Sequence, residues 1–126
     1  MSLYEALGSD AGVRRLVDAF YDVMDRDPTF AHLRALHPDL PRAHDRLFKY
    51  LTGWTGGPPL FTQEFGHPML RARHLQVAID QRGRDAWLAC MRQALDATVE
   101  HVEAREALYA ALAPLADHMR NQPEPG

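Results

Sequence analysis

The sequence is poor in cysteine, in net charge and in long apolar runs. Cys90 is the only cysteine in 126 residues, which excludes an intrachain disulfide and a thiolate cluster for zinc or iron–sulfur. Lys and Arg number 14 against 17 Asp and Glu, so the basic surface that nucleic acid requires is missing. No apolar run approaches the ~20 residues of a membrane span, and the N-terminus does not resemble a signal peptide. We therefore expect a cytoplasmic protein without nucleic-acid or membrane partners, in which a metal comes with a cofactor or binds histidines.

Strand-like alternation is also missing, and apolar residues instead recur at the three- and four-residue spacing of helices. This spacing predicts a first long helix after Ser9 or Asp10, either of which could cap it. Further long helices are predicted to open at Asp39, to open at Asp80 and to run over residues 102–119. The inward face of the second long helix is expected to carry Leu40, His44, Leu47, Leu51 and Trp54. The fold class predicted from these patterns is all-α.

Prolines and glycines are expected to start, interrupt or end these helices. Helix breakers over 53–66 predict about a dozen residues without regular structure, and such a long loop in a compact domain is usually functional. A short helix is expected to start at Pro68. Pro114 lies inside the last helix, where its missing N–H predicts a kink that costs about 3 kcal/mol. We expect a single domain over residues 1–121 and a disordered tail over 122–126.

The segment Gly66–His74 places a histidine beside two arginines at the end of this short helix. Haem iron is held by an imidazole, while the haem propionates attract guanidinium groups. His74 is thus a candidate iron ligand, with Arg73 favoured over Arg71 as the propionate partner because it is adjacent to the ligand. The alternative is a polar helix end in which His74 interacts with the helix dipole and the arginines are solvated.

Two aromatic residues with polar groups lie on inward helix faces. Tyr21 belongs to the first long helix and Trp87 to the third. A buried phenol or indole needs a hydrogen-bond partner, and the indole N–H can only donate. Both could bond to backbone carbonyls within the core, or both could point into a cavity and donate to a ligand. Together with His74 they suggest a haem pocket.

The other polar candidates are weaker. No histidines form a His-x-x-x-His pair of the kind that binds zinc. His44 and His67 could contact the edge of a cofactor, whereas His101 and His118 are expected at the surface. Cys90 lies among apolar neighbours and is expected to be a small core residue rather than a nucleophile.

Four segments of the chain carry a resemblance to a known family. They are Gly56-Gly57-Pro58-Pro59-Leu60, Gly66-His67-Pro68-Met69-Leu70-Arg71-Ala72-Arg73-His74, Arg84-Asp85-Ala86-Trp87-Leu88 and Asp117-His118-Met119-Arg120-Asn121. In this order they resemble the group II truncated haemoglobins, also called 2-on-2 globins, from Leu3 to about Asn121. The resemblance implies a truncated globin fold, in which two antiparallel helix pairs sandwich a haem and a glycine-rich loop leads to the proximal helix.

The resemblance also implies roles for single residues. His74 matches the proximal iron ligand, Trp87 the tryptophan that faces the gas, and Tyr21 the distal tyrosine. A third distal group is Tyr, Phe or His in the family, and His37 is the best match. Because the segment from 28 to 40 is slightly longer than usual, Leu36 could occupy that position instead and remove one donor.

The implied cofactor is haem b, and several residues are expected to line it. Ala43 falls where vertebrate globins have a distal histidine, and Leu47 follows one turn later, so the second long helix offers the gas no polar group. Phe61 replaces a tyrosine of many members, which removes a propionate hydrogen bond. The remaining expected cofactor contacts are Leu51, His67, Leu70 and Met91.

These expectations lead to a haem protein that reversibly binds dioxygen and other small diatomic gases. An enzyme that consumes nitric oxide or peroxide is the alternative, and it would need electrons from a separate reductase because the sequence shows no flavin or nicotinamide domain. A cofactor-free helical interaction module is the third hypothesis. Haem binding and turnover assays distinguish the three.

Overall fold

The computed structural model describes residues 1–75 and 77–122, and in these ranges all regular structure is helical. Eight α-helices follow one another, with a 3₁₀ turn at Pro28–Phe30. The helices are α1 (Leu3–Ala6), α2 (Ser9–Arg26), α3 (Ala31–Ala35), α4 (Leu40–Trp54), α5 (Leu60–Phe65), α6 (Leu70–His74), α7 (Gln81–Thr98) and α8 (Val102–His118). The all-α prediction is confirmed. None of the helices in these ranges is long and apolar enough to span a membrane.

The four long helices form two pairs. Helix α2 packs against α4 and α7, and α7 packs against α8. Only three residues join α7 to α8, a connection short enough to place the two helices antiparallel. The core between the pairs is formed by fully buried side chains of α2, α7 and α8, which are Val13, Leu16, Val17, Phe20, Cys90, Met91, Ala94, Leu95 and Leu108.

Side-chain caps start three of the helices at the positions that the sequence indicates. The Asp39 carboxylate accepts from the Arg42 N–H at 3.1 Å, and Pro41 occupies the first turn of α4. Asp80 accepts from the Gly83 N–H at 2.8 Å and caps α7. At α8 the cap is an imidazole, because His101 Nδ1 accepts from the Ala104 N–H at 3.1 Å.

Several local predictions were wrong. The predicted loop over 53–66 contains helix α5, because the six residues from Leu60 to Phe65 form a short helix between the Gly-Pro stretch and Gly66. Helix α1 was not predicted, although Ser2 and Glu5 form a reciprocal capping box at its start. The cap of α2 is Gly8 with a φ of 104°, without a side-chain hydrogen bond, rather than Ser9 or Asp10.

Two further predictions concern positions near helix ends. Trp54 was expected to face inward, but it is 40% exposed and stacks on Tyr50 at 5.8 Å between ring centroids. Helix α6 begins at Leu70 rather than at Pro68, since Met69 adopts a left-handed φ of 45° that interrupts the helix. Helix α8 continues through Pro114 to His118, and the kink expected there stays a prediction.

The end of the described chain returns to the start of α7. The backbone N–H groups of Asn121 and Gln122 both donate to the carbonyl oxygen of Ile79, at 2.9 and 3.1 Å. Residues 123–126 of the predicted tail lie outside the described residues. The chain is thereby fixed beside the segment that joins α6 to α7.

Candidate functional site

His74 is the last residue of the short helix α6 and is half-buried. Its Nδ1 lies 2.6 Å from the carbonyl oxygen of Leu70, one turn earlier. Because a carbonyl can only accept, Nδ1 carries the proton, and Nε2 is left with its lone pair. An imidazole fixed in this tautomer is prepared to bind a metal through Nε2.

The loop that precedes α6 is held by Arg73. Its guanidinium donates to the carbonyl oxygens of Pro68, Phe65 and His67 at 2.6, 3.2 and 3.4 Å. The same group lies over the ring of Phe61 at 5.3 Å from the centroid. Within the described residues, Arg71 makes no hydrogen bond or ion pair and is exposed. Arg73 thus stabilises the loop, and Arg71 is the arginine without a protein partner there.

Aromatic rings connect α7 to α2. Trp87 is half-buried, and its ring lies 5.2 Å from that of Phe20, which lies 4.9 Å from that of Tyr21. Tyr21 is buried, with 8% of its surface exposed. Among the described residues no hydrogen-bond partner is found for the Tyr21 hydroxyl or for the Trp87 indole N–H. Neither atom is among the buried polar atoms that lack a partner, so both donors are accessible and could bond to a molecule beside α2 and α7.

The environment of Tyr21 keeps its hydroxyl protonated. Burial raises the pKa of Tyr21 well above its usual range, and interaction with Cys90 raises it further. Tyr21 is therefore a neutral hydrogen-bond donor over the physiological pH range.

His37 and His44 both contact the Tyr21 ring, at 6.0 and 5.9 Å between centroids. His37 Nδ1 donates to the Leu33 carbonyl oxygen at 2.8 Å. Burial lowers the pKa of His37, against the effect of the Leu33 carbonyl, and electrostatic interaction with His74 and Arg34 lowers it further.

The ring of His37 lies beside that of Tyr21, and which of His37 and Leu36 takes the third distal position stays a prediction. Leu36 is half-buried and is not among the side chains that pack against the core. His44 is held by Asp18, with Nε2 and Oδ1 2.6 Å apart, so it connects α4 to α2 beside Tyr21.

The other predicted contact residues differ in how deeply they are buried. Leu51, Phe61 and Met91 are buried, whereas Ala43, Leu47 and Leu70 are half-buried. His67 is exposed, and its Nδ1 accepts from the Met69 N–H at 3.2 Å. The residues expected to contact a cofactor are therefore mainly apolar, and the polar candidates are Tyr21 on α2, Trp87 on α7 and His37 between α3 and α4.

These residues suit a haem better than a bare metal ion. Across 1–75 and 77–122, no group of three or more His, Cys, Asp or Glu side chains could hold a metal. His74 offers one imidazole, which is enough for an iron that a macrocycle already coordinates. An apolar wall, an exposed arginine and two unused donors match the ring, the propionates and the open side of such a group.

Comparison with known proteins shows the family of the chain. Residues 2–121 match the family described as bacterial-like globin. The chain belongs to this family. It is 43% identical to the group 2 truncated hemoglobin YjbI of Bacillus subtilis (strain 168) over 122 residues, covering 96% of this chain and 89% of that protein.

Solved structures show the same globin fold. A group II 2-on-2 hemoglobin from Agrobacterium tumefaciens superposes with a TM-score of 0.95 at 47% identity, covering 98% of this chain and 96% of that one. A truncated oxygen-avid haemoglobin from Bacillus subtilis gives a TM-score of 0.86 at 41% identity, covering 96% of this chain and 100% of that one. The group II truncated globin fold, with two helix pairs in a 2-on-2 arrangement, is confirmed for this chain.

Two features of this globin's site were not predicted. The Asp18–His44 pair is not apparent from the sequence, because its members are 26 residues apart and come together only when α2 and α4 pack. Asn121 lies in a segment that carried the family resemblance, but nothing in the sequence indicated that its amide bonds to the backbone of His74.

Proposed function

We propose that this globin binds haem b through His74 and reversibly holds dioxygen or another small diatomic gas in the pocket formed by Tyr21, Trp87 and His37. The observation that carries the proposal is the His74 imidazole, whose Nδ1 bond to Leu70 leaves Nε2 available as a ligand. Haem supplies an iron with a free coordination position for a gas. The name of the oxygen-avid relative supports dioxygen as that gas.

The protein's own residues would bind and orient the haem. His74 binds through Nε2, with its ring plane set by the carbonyl of Leu70. Arg71 is available to bind a propionate. Arg73 would first have to give up some of its three hydrogen bonds to backbone carbonyls before it could bind a propionate. The buried side chains of Leu51 and Met91 exclude water from the apolar part of the pocket.

The polar residues would then select and retain the gas. The indole N–H of Trp87 donates to it, and the hydroxyl of Tyr21 supplies a second donor that stays protonated. His37 is neutral near pH 7 because its pKa is lowered, and its position against Tyr21 completes the polar side. A hydrogen bond of this kind contributes about 0.5–1.5 kcal/mol, or about 1.5–3 kcal/mol where the acceptor is charged.

The proposal extends to the setting of the protein. A buried, unpaired thiol at Cys90 suits a reducing compartment, and we place the protein in the cytoplasm. The globin match occupies residues 2–121, so electrons that keep the iron ferrous would come from a reductase outside these residues.

Hemin titration tests the proposal. We expect a Soret band that saturates at one hemin per chain, and spectra that change reversibly when the reduced protein is exposed to oxygen and then to vacuum. An absence of a Soret band would overturn haem binding. A saturating band without a reversible oxygen spectrum would retain haem binding and overturn the oxygen-binding function.

A further inference from the structure

Helix α6 cannot hold its own position. It has five residues, none of them buried, and an isolated helix of this length is unstable in water. It is not one of the helices that pack extensively against another helix in the described chain. The position of His74 must therefore be fixed by particular bonds rather than by packing.

Asn121 supplies such bonds from the segment after α8. Its side-chain Nδ2 donates to the carbonyl oxygens of His74 and Val77, at 3.0 and 2.8 Å. Its Oδ1 accepts from the backbone N–H of Ile79 at 2.9 Å, and its own backbone N–H donates to the Ile79 carbonyl, also at 2.9 Å. Both amide protons and the amide oxygen are thus used on a segment more than 40 residues away in the sequence.

This arrangement requires a primary amide. The carbonyl of His74, at the end of α6, accepts from the backbone N–H of Val77 at 3.0 Å, and the amide of Asn121 is its second donor. Aspartate has the same size as asparagine and could accept from Ile79, but it has no proton to donate to His74 or Val77. The geometry therefore selects asparagine over its closest isostere.

The segment that carries Asn121 is itself attached to the core. Met119 is buried. Arg84 of α7 pairs with Asp117 at 2.5 Å, and Arg120 pairs with the same carboxylate at 3.0 Å. Asn121 is therefore connected to the rigid α7–α8 pair on one side and to the backbone of His74 on the other.

We propose that Asn121 is a positioning residue for His74. Its amide fixes the backbone end of the histidine, while the Leu70 carbonyl fixes the ring through Nδ1, and the two bonds together set the direction of Nε2. The inference rests on the proposed function, because it assigns Asn121 a role toward the group that His74 would bind.

Asn121→Asp and Asn121→Ala test the inference, with Gln93→Ala as a control for loss of an exposed amide on α7. The first readout is hydrogen–deuterium exchange of peptides from 69–75 and 77–80, compared with α2 and α8, with and without hemin. Loss of two hydrogen bonds should speed exchange in the first set by about tenfold. The second readout is the iron–histidine stretching band in the resonance Raman spectrum of the ferrous, gas-free protein, which should shift or broaden in both Asn121 variants.

The outcomes separate the alternatives. If hydrogen–deuterium exchange accelerates as much in α2 and α8 as around His74, Asn121 stabilises the whole fold rather than His74, and the proposal is overturned. Local acceleration with an unchanged band restricts Asn121 to holding the backbone and also overturns it. If the unsubstituted protein binds no hemin, or shows no such band, the proposed function has failed, while the exchange data still decide whether Asn121 holds the segment around His74.

Discussion

The imidazole of His74 donates through Nδ1 to the carbonyl oxygen of Leu70, at 2.6 Å and within a single helical turn. A helix of five residues thereby contains both the candidate ligand and the group that fixes its tautomer. The usual companion of a metal-binding histidine is such an acceptor, which increases its basicity and fixes its ring. The first prediction follows from this pair.

His74→Gly should abolish tight hemin binding, because it removes the imidazole that would bind the iron. Removing the hydrogen-bond partner of a metal-binding histidine typically lowers metal affinity by about 10–100-fold. Since His74 is the ligand itself, we expect its loss to increase the hemin dissociation constant by at least about a hundredfold. Added imidazole should restore part of the Soret band. The measurement is hemin transfer to a competing acceptor protein. His118→Gly, an exposed histidine that also ends its helix, is the control, and an equal effect of both substitutions would contradict the assignment.

Sequence patterns were sufficient to predict the long helices. Apolar spacing, Pro41 near the start of α4 and the Asp80 cap predicted α2, α4, α7 and α8 because each signal acts within one or two turns. Helices α1 and α5 were missed because they have only four and six residues, too few for the three- and four-residue spacing of apolar side chains to repeat. The exposure of Trp54 was missed because periodicity gives the face on which a residue lies but not how far its neighbours cover that face.

The residue types of the candidate site could be predicted from the sequence, but most of their hydrogen-bond partners could not. Tyr21 and Trp87 could be placed on inward faces from spacing, and the structure places both around Phe20. Arg73 was favoured as a propionate partner from its adjacency to His74, yet its three bonds to carbonyls depend on the path of the loop before α6. The bonds of Asn121 depend on the meeting of distant segments, which no local pattern encodes.

The indole N–H of Trp87 has no acceptor among the described residues, so its bond should become measurable when a gas is bound. Trp87→Phe retains an aromatic ring next to Phe20 and removes the donor. We expect dioxygen to dissociate about 10- to 100-fold faster, as the loss of one strong hydrogen bond implies. Stopped-flow displacement of oxygen by carbon monoxide measures this rate. Trp54→Phe, at an exposed position on α4, should leave it unchanged, and an unaltered rate in Trp87→Phe would remove the tryptophan from this role.

His37 should make the hemin-free protein less stable in acid. Its pKa is lowered from 6.5, so the unfolded chain binds a proton more readily than the folded one. Its contribution is complete above pH 6.5, and stability declines as the pH falls below that value, until the folded protein is protonated as well. His37→Leu should flatten this part of the curve in urea unfolding measured between pH 7.5 and 5.

The matched comparison for His37 is His32→Leu at an exposed position of the neighbouring helix α3. It should leave the pH dependence as it is in the unsubstituted protein. The same slope in all three proteins would show that the acid sensitivity has another origin.

Two helical glycines should respond in opposite ways to alanine. A Cβ at Gly12 would lie 1.9 Å from the carbonyl oxygen of Leu7, so the end of α1 would have to move away from α2. A Cβ at Gly83 would meet nothing closer than the Asp80 carboxylate at 3.5 Å, which is ordinary contact. Gly12→Ala should therefore lower the free energy of unfolding by about 1–3 kcal/mol, as overpacking usually does.

Gly83→Ala should increase the free energy of unfolding by about 0.5–1 kcal/mol, because alanine loses less backbone entropy in a helix. Urea unfolding followed by circular dichroism measures both changes in one experiment. Since the two substitutions add the same methyl group to long helices, their difference isolates the close approach of α1 to α2. Equal effects would show that the Leu7 carbonyl can move without cost, and that the contact at Gly12 does not determine how α1 is attached.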